Sequence, residues 1–219
     1  MASRPKHVAP RPAPRLYLTT PPLVDPSAFL PRLVTALDAG DIAALLLRLG
    51  EADERTLINC AKALADRAQN ANAALLLDRR FELAARAGAD GAHLTGVDAF
   101  ADAIEHLKPE RIAGAGGLVT RHDAMLVAER GADYVMFGEP DVEGRRPALS
   151  AIEARIAWWA EIFETPCVGY AAAPGEISPL VAAGADFIAL GDFLWLDGDK
   201  IRTTLNEVSR LIRLPEPAA

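Results

Sequence analysis

The chain has 219 residues, of which 51% are hydrophobic and 24% charged, the composition of an ordinary globular protein with enough apolar material for the core of one domain. Its 23 Lys and Arg against 30 Asp and Glu leave a net charge of −7, which excludes a nucleic-acid sleeve or an anionic-membrane patch as the obvious partner. The longest apolar runs, such as Ile42 to Leu47, fall far short of the roughly 18–20 residues of a membrane helix, and no apolar signal core opens the chain, so the expectation is a cytoplasmic protein.

Cys60 and Cys167 sit far apart in apolar segments with no CxxC pair and no His at ligand spacing, and read as reduced core residues. Residues 1–14 carry Pro5, Pro10, Pro12 and Pro14 and almost nothing to bury, so they read as a disordered Pro-rich arm. Residues 15–214 read as one domain and residues 215–219 as a tail.

From Arg15 onward a short apolar run, a turn signal and ten to sixteen residues of helical apolar spacing alternate, the mark of βα units on a parallel sheet. The runs are Arg15–Thr20, Ile42–Leu47, Ala73–Leu77, Gly91–Leu94, Arg111–Ala115, Tyr134–Phe137, Cys167–Tyr170 and Phe187–Leu190. Helices are expected near Pro26–Ala39, Asp53–Asn70, Arg79–Ala87, Val97–Leu107, Arg121–Arg130, Ile152–Phe163 and Glu176–Ala183, with a last one ending near Arg213. Three tetrapeptides, Ala87 to Asp90, Arg130 to Asp133 and Ala183 to Asp186, repeat a Gly-Ala-Asp that closes a helix and opens a strand, with the glycine as a left-handed cap. Eight units in about 200 residues is the lower size limit of a (β/α)8 TIM barrel.

Chemistry in that fold sits at the C-terminal ends of the strands. Asp78 and Asp98 follow strands three and four, where they either share a Mg²⁺ with substrate phosphate oxygens or cap the helices that follow. Gly114, Gly116 and Gly117 precede a helix whose start is marked by Thr120 and Asp123, so their amides either cradle a phosphate or only turn the chain. Arg48 ends an apolar strand and needs an anion, either a ligand or Asp78 on the next strand. Arg145 and Arg146, after strand six, either close over phosphates or form a solvated charge pair. His93 lies within strand four, inside the barrel or at the helix interface, and reads as structural, and His122 reads as a solvent-facing first-turn residue. Trp158, Trp159 and Trp195 read as packing or subunit contacts, which leaves a homodimer open. None of the four lysines, Lys6, Lys62, Lys108 and Lys200, ends a strand, which argues against a Schiff-base aldolase.

From Arg15 to Leu196 the chain resembles the thiamine-phosphate synthase and thiazole tautomerase family of small (β/α)8 barrels. The resemblance rests on Arg15-Leu16-Tyr17-Leu18-Thr19, on Gly88-Ala89-Asp90-Gly91-Ala92-His93-Leu94, and on Gly131-Ala132-Asp133-Tyr134-Val135-Met136-Phe137-Gly138. It implies Mg²⁺-dependent joining of an aminopyrimidine methyl diphosphate to a thiazole phosphate with release of pyrophosphate. It implies the metal on Asp78 and Asp98, the diphosphate near Arg48, and Tyr17 and Gly138 among the substrate-binding residues. The partner implied is a small phosphorylated heterocycle.

The chain departs from the family pattern at Leu46 and Gly50 around the strand-two arginine, at Leu77 before the first metal aspartate, at Ala171 and Ala172 after strand seven, and at Asp192 after strand eight. Those departures set a second expectation beside the transferase, a non-catalytic barrel that binds a phosphorylated or heterocyclic ligand or a protein partner. No histidine follows strand five, as a tautomerase would require.

Overall fold

The computed structural model describes residues 11–213. Eight parallel strands close in sequence order into a barrel, β1 (Arg15–Thr19), β2 (Ile42–Leu47), β3 (Ala74–Asp78), β4 (Gly91–Thr95), β5 (Ile112–Gly116), β6 (Tyr134–Phe137), β7 (Cys167–Ala171) and β8 (Phe187–Leu190). The helices between and after them are α1 (Leu30–Ala39), α2 (Glu54–Asn70), α3 (Phe81–Ala87), α4 (Val97–Leu107), α5 (Arg121–Glu129), α6 (Leu149–Ile162), α7 (Ile177–Ala182) and α8 (Ile201–Leu211). The barrel expected from the sequence is the barrel observed.

Strand alternation divides the apolar residues into two cores. Leu16, Leu18, Leu45, Leu47, Leu75, Leu77, Val135 and Phe137 face the helices, and Tyr17, Leu46, Leu76, Tyr134, Met136, Val168 and Tyr170 fill the barrel interior. The same alternation sends Asp78, His93, Gly114 and Gly116 inward, so the alternative left open for His93 resolves to the interior.

The Gly-Ala-Asp repeat has a second role beyond the cap. Gly88, Gly131 and Gly184 take φ of 69°, 95° and 97°, as a left-handed helix end requires. Each following aspartate then clamps the preceding strand at both its groups. Asp90 donates its amide to the Leu75 carbonyl (2.9 Å) and accepts the Leu75 amide on its carboxylate (2.7 Å). Asp133 does the same to Ala113 and Asp186 to Cys167. Charge-assisted bonds of this kind contribute about 1.5–3 kcal/mol each and fix the bottom of the barrel in register.

Three helix starts differ from the sequence reading. α1 begins at Leu30 because Asp25 holds Ser27 in a turn, through bonds of 2.9 and 2.7 Å, and Pro26 closes a further turn onto Phe29 and Leu30. α3 begins at Phe81 because Arg79 leaves the strand at φ 63°. α6 begins earlier, at Leu149.

Of the predicted arm, residues 11–14 are described, and Arg11 donates to the carbonyls of Gly184 and Ala160 beneath the barrel. The remainder of the arm and the predicted tail lie outside the described residues. Cys60 and Cys167 are buried and unlinked, with burial pushing their thiols up to about 11 and about 12. The tryptophans are used within the chain. Trp159 donates to the Thr165 carbonyl, Trp195 to that of Thr19, and Trp158 packs on Phe163 beneath Arg121. Among the described residues no helix is long and apolar enough to cross a membrane.

Candidate active site

A cavity of about 580 Å³ opens at the C-terminal ends of the strands. Its walls combine the apolar side chains of Leu46 and Met136 with Asp78, His93, Glu139 and five arginines.

The floor is a hydrogen-bonded chain across the barrel. Tyr17 Oη and Tyr134 Oη lie 2.8 Å apart, and Tyr134 Oη lies 2.9 Å from His93 Nδ1. Burial holds both phenols far above their ordinary range, so they remain neutral hydroxyls. Tyr134 Oη accepts from Nδ1 when Nδ1 carries the proton and donates to it when the ring proton sits on Nε2. That nitrogen lies 3.5 Å from Glu139 Oε1, an ion-pair separation without a hydrogen bond. Burial lowers the proton affinity of His93, but the Glu139 and Asp78 charges outweigh it and the net shift is upward.

Glu139 reaches its place because β5 is bare. A Cβ at Gly114 would overlap the Tyr134 ring, and one at Gly116 would overlap the Glu139 carboxylate. Gly117, at φ 61°, donates its amide to Glu139 Oε1 at 2.5 Å. The glycines expected to cradle a phosphate therefore make room for two side chains, and a carboxylate already occupies the Gly117 amide.

Asp78 is mostly buried, with Arg79 Nε at 3.6 Å as its nearest cation. Burial pushes its carboxyl upward, with Glu139 adding to the shift, while His93, Arg79 and Arg48 oppose it. The capping alternative does not hold. No side chain caps the start of α3 or α4, where the N-cap residues are Arg80 and Gly96. Asp98 stands exposed in the first turn of α4 and is not among the cavity-lining residues.

The other expected residues divide. Arg48 lines the cavity but is paired with neither Asp78 nor a free anion site, because it binds the Asp192 carboxylate and the Thr20 carbonyl. Asp192 is accordingly ion-paired. Arg146 turns inward onto both oxygens of Glu176 (2.7 and 2.8 Å) and the carbonyls of Gly138 and Tyr170. Arg145 is exposed and pairs with Asp141 and Glu143, which makes it the solvated charge pair of the two readings. Gly138 lines the cavity at φ 95°. Tyr17, expected at the substrate, is 2% exposed and lies in the interior layer rather than on the cavity wall. Leu77 faces the helices, so its departure from the family pattern does not reach the cavity, whereas Leu46 does line it.

Sequence reasoning gave no role to Glu139, Tyr134 or Arg79. The signal for the first two was the inward glycines of β5, which leave room only a large neighbour would fill.

The thiamine monophosphate synthase family model matches residues 16–193. The chain belongs to the thiamine monophosphate synthase family. It is 40% identical to the thiamine-phosphate synthase of Rhodospirillum centenum over 189 residues, 83% of this chain and 89% of that protein. It is 39% identical to the thiamine-phosphate synthase of Hyphomonas neptunium over 198 residues, 85% and 88% of the two chains. A solved thiamine phosphate pyrophosphorylase from Pyrococcus furiosus superposes with a TM-score of 0.74 at 22% identity, covering 90% of this chain and 95% of that one, which shows the shared barrel. The resemblance carried by the strand-one, strand-four and strand-six stretches thus holds across most of a thiamine-phosphate synthase.

Proposed function

We propose that this member of the thiamine monophosphate synthase family joins an aminopyrimidine methyl diphosphate to a thiazole phosphate and releases pyrophosphate. The observation that carries the reading is the β3 end of the cavity, where a mostly buried carboxylate, Asp78, has no hydrogen-bonded cation. A carboxylate so placed suits a divalent cation shared with substrate oxygens. Asp78 would hold Mg²⁺, which supplies charge neutralisation for a departing pyrophosphate when bound, while Asp98, exposed and outside the cavity lining, is the second ligand that the family resemblance implies. Among the described residues no three His, Cys, Asp or Glu converge as a metal cage, and Mg²⁺ that is completed by substrate phosphates requires none.

The remaining roles belong to side chains already fixed in place. Leu46 and Met136 offer an apolar surface to the heterocycle, and the cavity floor keeps bulk water from beneath it. Purified protein given both substrates and Mg²⁺ should form thiamine phosphate and pyrophosphate in equal amounts, and neither without both substrates. Folded protein that forms no product under those conditions would refute the assignment.

A further inference from the structure

Two non-glycine residues among those described have positive φ, Asn72 at 59° and Arg79 at 63°. Asparagine tolerates the left-handed region, and Asn72 sits in the turn before β3. Arginine does not favour it, and an outlier of this kind persists where the surroundings over-determine it. The conformation has a geometric result. Asp78 points into the barrel, so a strand continued by one residue would send residue 79 outward to the helices. The left-handed turn, anchored by the Arg79 amide on the His93 carbonyl at 2.8 Å, instead puts Arg79 on the cavity wall.

The state of its guanidinium separates Arg79 from the other four arginines there. Arg48 is bound to Asp192, Arg145 to Asp141 and Glu143, Arg146 to Glu176, and Arg155 to the carbonyls of Leu118 and Val119. Arg79 makes no side-chain hydrogen bond among the described residues, its nearest carboxylate oxygen lies 3.6 Å away, and its side chain is 50% exposed. An uncommitted planar guanidinium on the cavity wall can take phosphate oxygens bidentately, and the strained backbone is what delivers it there.

We propose that Arg79 is an anion-binding residue of this site, that its guanidinium takes oxygens of the diphosphate group, and that the left-handed backbone is kept to place it. The inference rests on the diphosphate reading above. It is tested by calorimetric titration of the wild-type chain, Arg79→Gly and Arg79→Lys with inorganic pyrophosphate and Mg²⁺, alongside thermal melts. Glycine removes the cation and relieves the left-handed strain together, so Arg79→Gly should lose at least about tenfold in affinity while its Tm holds or rises. Arg79→Lys, which keeps charge without the fork, should fall between. Wild-type affinity in Arg79→Gly, or a drop in its Tm, overturns the role of Arg79 and leaves the diphosphate reading intact. A wild-type chain that ignores millimolar pyrophosphate overturns the diphosphate reading and Arg79 with it.

Discussion

The two sides of the cavity carry the same residue types in opposite states. On the β6 to β8 side the charges consume one another, Arg146 on Glu176, Arg145 on Asp141 and Glu143, and Asp192 on the Arg48 that crosses from β2. On the β3 and β4 side Asp78 and Arg79 are within ion-pair reach yet not hydrogen-bonded, and His93 Nε2 is buried without a hydrogen-bond partner, as is Oε2 of Glu139, which reaches across to His93 from the end of β6. Arginines and carboxylates at strand ends are therefore of two kinds. Those closed on each other form the wall, and those held apart have capacity left for a ligand. An unpaired buried polar group costs about 1–3 kcal/mol, so the open side is retained against stability.

Three substitutions press on that contrast. Asp78→Asn should lower turnover by about 10²–10³-fold, the loss typical of removing one preorganised charge-stabilising group, as read in the thiamine phosphate assay. Full activity would erase the distinction between the two sides. On the closed side, Glu176→Ala should leave Arg146 largely buried with its carboxylate partner gone and cost about 2–3 kcal/mol in urea unfolding, discounted from the fully buried case because the pair is 17% and 20% exposed. No change in the unfolding midpoint would show that the pair does not hold the wall.

A smaller effect should appear in the pH dependence of stability. The Asp78 carboxyl titrates higher in the folded chain than its ordinary 3.8, because burial disfavours its charge. The folded state then binds more protons than the unfolded one, so this group's contribution to stability falls as pH rises through that window. Asp78→Asn should thus raise Tm at pH 7, with the gain shrinking as pH drops toward 4. A gain that does not vary with pH would assign it to something other than the charge. Arg145→Ala, exposed and paired only with its own loop, should change stability by less than about 0.5 kcal/mol and leave the KM for both substrates where it was.

The barrel was legible in the sequence because its signals are local. Leu45 and Leu47 against Leu46, or Gly88 followed by Asp90, state strand alternation and helix ends within a few residues. The site was legible only as strand ends. Asp78, Arg48 and Gly138 were singled out at strand ends, and all three line the cavity. Their partners were not legible, since Arg48 meets Asp192 across 144 residues and Arg146 meets Glu176 across 30, distances over which no periodicity operates. The glycines of β5 were ambiguous for the same reason. Amides before a helix look like a phosphate cradle until Glu139 is seen lying against Gly116. Arg79 drew no role from the sequence, since strand alternation from Asp78 points it away from the cavity and only its left-handed backbone returns it.

The most direct test is a crystal structure of the protein grown with Mn²⁺ in place of Mg²⁺ and with pyrophosphate. An anomalous peak coordinated by Asp78, with the diphosphate lying against Arg79 and the Arg146–Glu176 pair unbroken, is the predicted result. Pyrophosphate bound instead to Arg146 with Glu176 displaced, and no metal at Asp78, would contradict the division of the cavity into an open side and a closed one.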